Sequence, residues 1–281
     1  MDCVLFLRKL KRGGRDLPGI PVKGDIIHYI SGDILKKERP TVLMVHGAGQ
    51  NSFTWRYQVG CLKSHPYFNL VIPDLPGHDK STGNGCRTIE EYSSFLKDFV
   101  DTLDLGDLIL IGHSMGGGIV QVFTLKWPHR VCALVLVGTG SRLRVARETL
   151  WSVENDFETF CRVAPTRAFS GSAPKELKEA FVETILKTPQ SVIHQDLLAC
   201  DDFDITEGIS SIEVPTLIIS ADEDILTPVK YGEYLHGKIK GSRFYVIRGA
   251  GHFMMQEKPE EFNRILMDFL GSLSLKHPAE G

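Results

Sequence analysis

The sequence lacks the features that mark several broad classes of protein. None of its six cysteines forms a C-x-x-C pair, so their spacing gives no support for a zinc knuckle or a thioredoxin-like redox site. No apolar run approaches the roughly 20 residues of a membrane-spanning helix. The order typical of a signal peptide is absent, because the basic stretch 8–12 follows the short apolar run Val4–Leu7 at once. These absences exclude a disulfide scaffold, and we expect a cytoplasmic protein with reduced thiols.

An excess of charge of one sign is also lacking. The 32 Lys and Arg residues against 35 Asp and Glu residues give a formal net charge of −3. So small a charge does not gather nucleic acid or an anionic membrane, and we expect neither as a partner. No G-K-[ST] follows the glycine-rich turns, and no cluster has the spacing of metal ligands. We therefore expect no cofactor and no metal.

The sequence does have enough apolar residues for one large core. It has 281 residues, of which 42% are hydrophobic and 24% charged, which are ordinary values for a globular chain. Division by about 150 residues per domain indicates one large domain, or one domain with an insertion. We expect a monomer or a homodimer.

Short apolar runs alternate with helical patterns along most of the chain. Alternation of this kind indicates βαβ crossovers and a mostly parallel sheet, and hence an α/β fold. The predicted strands are Asp25–Ile30, Thr41–Val45, Asn69–Pro73, Asp107–Ile111, Val131–Val137, Pro215–Ser220 and Arg243–Ile247. The predicted helices are one that Thr88 caps, with Glu91 three residues on, and those at 119–127, Lys230–His236 and Pro259–Leu270.

One stretch breaks this alternation. Between Ser141 and Ile205 there is no apolar run typical of a buried strand, only helical patterns such as Ala146–Arg162 and Lys175–Lys187. We interpret it as a helical lid inserted into the sheet domain. The predicted division is an N-terminal extension at 1–23, a core at 24–140 and 206–273, the lid at 141–205 and a tail at 274–281.

The most specific motif is Gly-His-Ser-Met-Gly at 112–116, placed where a predicted strand ends. A serine on so sharp a turn has a strained backbone, and the flanking Gly112 and Gly116 avoid side-chain clashes. The turn exposes the hydroxyl above the sheet, at a helix N-terminus. We predict that Ser114 is a nucleophile, the alternative being a plain glycine-rich loop.

A serine hydroxyl needs a base to take its proton, and His252 is the strongest candidate among the ten histidines. It lies in the glycine-rich loop 249–253, between the last predicted strand and the closing helix. His113 adjoins the serine but should point away from it. His46 ends a predicted strand and is better placed to support the loop that follows.

The base in turn needs a carboxylate that fixes its tautomer and stabilises the imidazolium. Asp224 lies four residues beyond the strand Pro215–Ser220, with Pro228 four residues further on. Asp222 is the competing acid, but it comes sooner after the strand and suits the turn itself. We predict that the acid is Asp224.

An oxyanion needs two backbone N–H donors at the place where its charge develops. One should come from Met115, the residue after the serine. The other should come from the loop 46–49, where Ala48 is our first choice and Gly49 the second. A plain β-to-α turn is the alternative interpretation of this loop.

Together these motifs resemble the α/β-hydrolase superfamily, in the lidded branch that holds small carboxylesterases and enol-lactonases. The resemblance runs from about Gly24 to Leu270 and rests on residues 46–49, 74–81 and 112–116, Asp224 with Pro228, and Gly251 with His252. It implies the α/β-hydrolase fold, a mostly parallel central sheet flanked by helices with a helical lid, and the chain order Ser…Asp…His. Asp79 stands where this branch usually has glycine, a loop departure that puts no catalytic role in doubt.

Residues and resemblance together predict a serine hydrolase that cleaves a carboxylic ester or lactone, a small-molecule substrate, through an acyl-serine intermediate. Dehalogenases and epoxide hydrolases of this fold use an aspartate nucleophile, so Ser114 argues against both. Two alternatives stay open. One is a carbon–carbon bond hydrolase or lyase with the same triad, and the other is a ligand receptor with low turnover.

The predicted lid carries the candidates for substrate binding. Trp151 and Phe157, with three further phenylalanines at 160, 169 and 181, could roof an apolar pocket. Arg144, three residues before Arg147, could meet an anionic substrate. The alternatives are an ordinary packed core for the aromatic residues and a solvated helix face for the arginines.

Overall fold

The computed structural model describes residues 19–32 and 35–273. The strands are β1 (Ile20–Val22), β2 (Asp25–Ile27), β3 (Tyr29–Ser31), β4 (Thr41–Val45), β5 (Asn69–Pro73), β6 (Leu108–His113), β7 (Val131–Val137), β8 (Thr216–Ala221) and β9 (Arg243–Ile247). β1 and β2 form a small antiparallel hairpin. The other strands form a seven-stranded sheet in the order β3-β5-β4-β6-β7-β8-β9, parallel except for β3. The predicted α/β fold with a mostly parallel sheet is confirmed.

Ten α-helices lie within the described part of the chain. They are α1 (Val59–Leu62), α2 (Ile89–Thr102), α3 (Met115–Lys126), α4 (Arg147–Asn155), α5 (Phe157–Ala168), α6 (Lys175–Ile185), α7 (Gln190–Asp202), α8 (Val229–Lys238), α9 (Met254–Glu257) and α10 (Pro259–Gly271). None of the helices in these described ranges is long and apolar enough to cross a membrane. Residues 1–18 and 274–281, in the predicted extension and tail, lie outside the described residues, and so do Asp33 and Ile34.

Helices cover both faces of the sheet. In β4, Val42 and Met44 face the layer that contains α1 and α10, whereas Leu43 and Val45 face α2, α3 and α8. Every residue of β4, β5, β6 and β8 is buried. Strands buried on both faces have continuous apolar sequences, which is why the sequence pattern predicts them well.

The predicted strand Asp25–Ile30 is wrong in one respect, because β2 and β3 belong to different sheets. His28 separates them. Its N–H donates to Ser81 Oγ at 3.0 Å, and its Nδ1 lies 2.6 Å from Asp74 Oδ2. These bonds to a neighbouring loop replace strand pairing at His28, and the chain changes its partner there from β1 to β5.

Two helix predictions need correction as well. The helix predicted at 119–127 begins at Met115, because close packing rather than helix propensity sets its first turn: a Cβ on Gly117 would lie 2.5 Å from the Thr139 side chain. The single helix predicted at Ala146–Arg162 is two helices. Asp156 separates them and caps α5, since its side chain accepts a hydrogen bond from Thr159 N–H at 3.1 Å.

The helices α4 to α7, which we call the four-helix segment (residues 147–202), follow β7 and precede β8. Because β4 and β6 to β9 are parallel, the loops after these strands all begin at one edge of the sheet. Ligands bind at this edge in open α/β sheets. The four-helix segment faces it across a cavity.

Candidate active site

Ser114 occupies the sharp turn between β6 and α3. Its backbone has φ 55° and ψ −119°, a conformation that non-glycine residues rarely adopt. The turn is held from β7, since Ser114 N–H donates to Val137 O at 3.0 Å and Thr139 Oγ1 donates to Ser114 O at 2.8 Å. A Cβ on Gly116 would lie 2.4 Å from Val45 O, so only glycine fits there. The local geometry is that of a nucleophile elbow.

Asp224 and His252 are brought together from loops 28 residues apart, with His252 Nδ1 2.7 Å from Asp224 Oδ2. Both side chains are buried. The loop itself supplies further donors to the carboxylate: Leu226 N–H and Thr227 N–H each lie 2.9 Å from Oδ1, and the Thr227 hydroxyl lies 2.8 Å from Oδ2. Sequence reasoning did not identify Thr227.

These contacts determine the charge of the carboxylate. Burial acts to raise the pKa of Asp224, but the attraction of His252 and the hydrogen bonds from His252 and Thr227 outweigh it, so the pKa falls below its usual value. Asp224 is therefore an anion beside the imidazole at neutral pH.

The competing acid Asp222 lies elsewhere. Its Oδ1 accepts a hydrogen bond from Gly249 N–H at 2.7 Å, and its Oδ2 lies 3.7 Å from Arg248 Nη1. Asp222 thus binds the turn that follows β9, whereas Asp224 orients His252.

His113 and His46 are both buried, and each makes a hydrogen bond to the main chain around the site. His113 donates from Nε2 to the His252 main-chain O at 3.0 Å, and burial, with repulsion from His252, lowers the pKa of His113 well below its usual value. Burial also lowers the pKa of His46, to about 4. His46 is therefore neutral, and its Nε2 accepts a hydrogen bond from Leu75 N–H at 3.0 Å.

The two predicted oxyanion donors belong to the two chain segments next to Ser114, the start of α3 and the loop after β4. Met115 is the first residue of α3, where a helix leaves its N–H groups without intrahelical partners. Ala48 lies in the loop after β4, which contacts the elbow, since a Cβ on Gly47 would lie 3.1 Å from Ser114 Cβ. Gly49, the second choice, donates its N–H to Asp196 Oδ2 at 2.9 Å. That bond leaves Ala48 as the better candidate.

A cavity of about 390 Å³ lies between this edge and the four-helix segment. Ser114, His252, Ala48 and Arg144 all line it. The larger apolar side chains that line it are those of Leu143, Val145, Phe160, Val163, Phe181, Ile185, Ile193, Leu197, Ile225, Leu226 and Phe253. Ile225 and Leu226, beside the predicted acid, were not identified from the sequence.

Trp151 and Phe157, predicted to roof the pocket, do not line this cavity. Trp151 is 60% exposed, because α4 turns Thr149 and Ser152 to the cavity instead. Phe157 stacks on Phe160 with ring centroids 5.9 Å apart, and only Phe160 reaches the cavity. Trp151 and Phe157 lie on two helices that Asp156 separates, whereas the prediction placed them on one continuous helix.

Arg144 lines the cavity but is held at its rim. Its guanidinium donates to Asp201 O and lies 3.4 Å from Asp204 Oδ2. The predicted contact with an anionic substrate therefore competes with two partners from the chain itself.

A mostly parallel sheet with a serine elbow after one strand and an Asp–His pair after two others defines an α/β hydrolase. The chain matches the model of the alpha/beta hydrolase family over residues 42–265 and belongs to that family. It is 26% identical over 261 residues to the 2-hydroxy-6-oxononadienedioate/2-hydroxy-6-oxononatrienedioate hydrolase of Escherichia coli, a match that covers 82% of this chain and 86% of the relative.

Solved structures resemble it over almost their full length. A thermophilic esterase is 32% identical with a TM-score of 0.79, covering 91% of this chain and 97% of the esterase. The enol-lactonase from Burkholderia xenovorans has a TM-score of 0.85 at 22% identity, covering 91% of this chain and all (100%) of the enol-lactonase. At that identity the second likeness shows the fold alone.

Proposed function

We propose that the protein is a serine hydrolase that cleaves a carboxylic ester or lactone through an acyl-serine intermediate. The observation that carries the proposal is the presence of Ser114, on a strained elbow, in one cavity with His252, whose Nδ1 is bound to the buried Asp224. The 32% identity to a thermophilic esterase supports this reaction class.

In the proposed reaction, His252 takes the proton of Ser114 as its Oγ attacks the substrate carbonyl carbon. The N–H groups of Ala48 and Met115 stabilise the oxyanion, and Asp224 stabilises the imidazolium. As the tetrahedral intermediate collapses, the bond to the leaving oxygen breaks and His252 returns the proton to that oxygen. Water, activated by the same imidazole, then attacks the acyl-serine and releases the acid.

The four-helix segment acts as a lid in this proposal. Its apolar side chains line the cavity above Ser114, as Phe160, Phe181 and Leu197 show. Water exclusion by such a wall strengthens the hydrogen bonds to a developing oxyanion. We infer a small substrate with an apolar acyl or alcohol group.

A panel of p-nitrophenyl esters and simple lactones, varied in chain length and charge, tests the proposal. Ester or lactone hydrolysis by the wild type and none by Ser114→Ala is the expected result. Hydrolysis that survives in Ser114→Ala would refute it.

The second candidate is hydrolysis of a carbon–carbon bond, favoured by the 26% identity to the E. coli hydrolase named above. The discriminating substrate is a 2-hydroxy-6-oxo-2,4-dienoate, whose conjugated absorbance disappears on cleavage. A kcat/KM for this compound well above that for every ester would favour the second candidate over the first.

A further inference from the structure

Asp196 is a completely buried carboxylate on α7, opposite the loop that carries Ala48. Three donors from three parts of the core surround it. Gly49 N–H and His78 Nε2 lie 2.9 Å and 2.8 Å from Oδ2, and the Tyr92 hydroxyl lies 2.5 Å from Oδ1. A side chain of the four-helix segment thus binds the loop after β4, the loop after β5 and α2 at once.

The hydrogen bonds define the protonation states of this cluster. Each ring nitrogen of His78 lies beside an oxygen, Pro76 O at 3.0 Å and Asp196 Oδ2 at 2.8 Å. Although burial acts to lower it, the pKa of His78 is raised above its usual value by the charge and hydrogen bond of Asp196, which favours the imidazolium that donates from both nitrogens. Tyr92 keeps its proton and donates it, since burial and the carboxylate raise the pKa of the phenol well above its usual value.

The same contacts shape the loop 46–49. Gly49 has φ 64°, and a Cβ there would lie 3.3 Å from Ile193 of α7. The Asp196 bond therefore fixes the direction of the Gly49 N–H in a residue whose backbone is otherwise permissive. The Gly49 N–H lies in one peptide plane with the Ala48 C=O, so that bond restrains ψ of Ala48 and with it the residue that carries the proposed N–H donor.

We propose that Asp196 is the positioning residue of the oxyanion hole: it draws the Gly49 N–H away from the cavity and so presents the Ala48 N–H to the substrate. This inference rests on the proposed function. One helix would then affect both substrate binding and catalysis, since α7 carries Asp196 and also lines the substrate cavity with Ile193, Leu197 and Cys200. A substrate that displaces α7 alters the oxyanion hole directly.

Asp196→Asn tests the inference, because it replaces the carboxylate by an amide of the same shape. Both carboxylate oxygens accept hydrogen bonds, so the amide must turn an NH₂ group towards Tyr92 or towards Gly49 and His78. Asp202→Asn is the matched control, because Asp202 is an exposed acid at the end of the same helix. The probes are kcat and KM for p-nitrophenyl acetate and hydrogen exchange of the Gly49 amide by ¹⁵N NMR.

The expected result for Asp196→Asn is a fall in kcat of about 10- to 100-fold, less than the roughly 10²- to 10³-fold loss of a whole oxyanion donor. KM should stay within about threefold, because the donor acts mainly on the transition state. Gly49 exchange should accelerate at least about tenfold, since its N–H meets either a neutral amide oxygen, a weaker acceptor than the carboxylate, or an NH₂ group that accepts nothing. Asp202→Asn should match the wild type in kcat, in KM and in the rate of Gly49 exchange.

Faster Gly49 exchange with unchanged kcat would overturn the positioning role and leave the proposed function intact. Unchanged exchange would overturn the bond on which the inference stands. If the wild type is inactive on every ester, the proposed function is refuted, and so is the catalytic part of this inference. The exchange data then still decide whether Asp196 fixes the loop 46–49. If Asp196→Asn does not fold, Tyr92→Phe takes its place: a threefold to tenfold loss of kcat at constant KM supports the inference, and unchanged kcat overturns it.

Discussion

The edge of the sheet and the four-helix segment face each other across one cavity, but they are built in different ways. At the edge, main-chain atoms hold the chemical groups: Ser114 is bound to Val137 O, and Asp224 accepts two N–H groups of its own loop. The four-helix segment instead presents side chains whose direction depends on where each helix begins, as Trp151 and Phe160 show.

The comparison indicates why one fold accommodates many substrates. Reacting groups on strand ends and short loops keep their geometry when the helices above them change. Helix side chains can be exchanged at little cost to that geometry. Asp196 is the exception, because it belongs to the helices and acts on the edge.

Removal of the proposed nucleophile should have the largest effect. Ser114→Ala should lower kcat by about 10⁴- to 10⁶-fold, by analogy with triad knockouts, with the folded state intact because a hydroxyl on this turn contributes little to the core. Steady-state kinetics on the best ester found check this, with the exposed Ser94→Ala as control. Activity near the wild-type level in Ser114→Ala would mean that the edge of the sheet does not carry the chemistry.

The two acids after β8 should differ sharply. Asp224→Asn should cost about 10³- to 10⁴-fold in kcat, because the amide favours the wrong tautomer of His252. Asp222→Asn should cost less than about tenfold, since it affects only the hydrogen bond from Gly249 N–H in the turn after β9, worth about 1 kcal/mol. The kcat of both variants is measured on one activated ester. If Asp222→Asn is the variant that loses activity, the acid is assigned wrongly.

Two aromatic residues test which side chains of the four-helix segment face the cavity. Phe181 packs edge-on against Phe169 and Phe253, with ring centroids 5.5 Å and 5.1 Å away, and lines the cavity. Phe181→Ala should lower the free energy of unfolding by about 3 kcal/mol and change KM most for longer esters. Trp151→Ala should change stability by less than about 0.5 kcal/mol and leave KM unchanged. Urea unfolding and ester kinetics separate the two, and equal effects would contradict the orientations described.

The pH dependence of stability should reveal the pair of His78 and Asp196, which links the loop after β5 to α7 of the four-helix segment. Burial acts to lower the pKa of His78, but the charge and hydrogen bond of Asp196 outweigh it, with a smaller contribution from Asp74, so the pKa is raised above 6.5. A raised folded-state pKa stabilises the protein fully below about pH 6.5, and this stabilisation is lost as the pH rises through the folded-state value.

Each unit by which the pKa is raised corresponds to about 1.4 kcal/mol. The free energy of unfolding, measured in urea between pH 6 and 9, should therefore decline more steeply in the wild type than in His78→Gln. Parallel curves for the two proteins would show that His78 is not charged in the folded state.

The sequence predicted the fold well where strands are buried on both faces. The predicted bounds of β4, β5 and β7 are those of the structure, because continuous apolar runs with turn residues at each end have few alternatives. α3 and the Asp25–Ile30 region were predicted less well, since tertiary packing of glycines and the bonds of His28 override local pattern there.

In the candidate site too, residues that a local sequence pattern marks were predicted, and a residue placed by tertiary packing was not. Ser114, Asp224 and His252 stand in loops after strands, and those of Ser114 and His252 are rich in glycine, so a motif can mark these positions. Asp196 contacts a residue 147 positions away in the chain, and nothing in the helical pattern of α7 distinguishes it from a surface acid. Contacts of this range depend on how the helices dock, which local sequence does not determine.

The proposed function requires a covalent acyl intermediate on Ser114. The most direct measurement is mass spectrometry of the wild-type protein quenched in acid during the first turnover of p-nitrophenyl acetate, followed by proteolysis. The account predicts an acetyl group on the peptide that contains Ser114, together with a burst of p-nitrophenol. Turnover without an acyl group on Ser114, or with the acyl group on another residue, would contradict it.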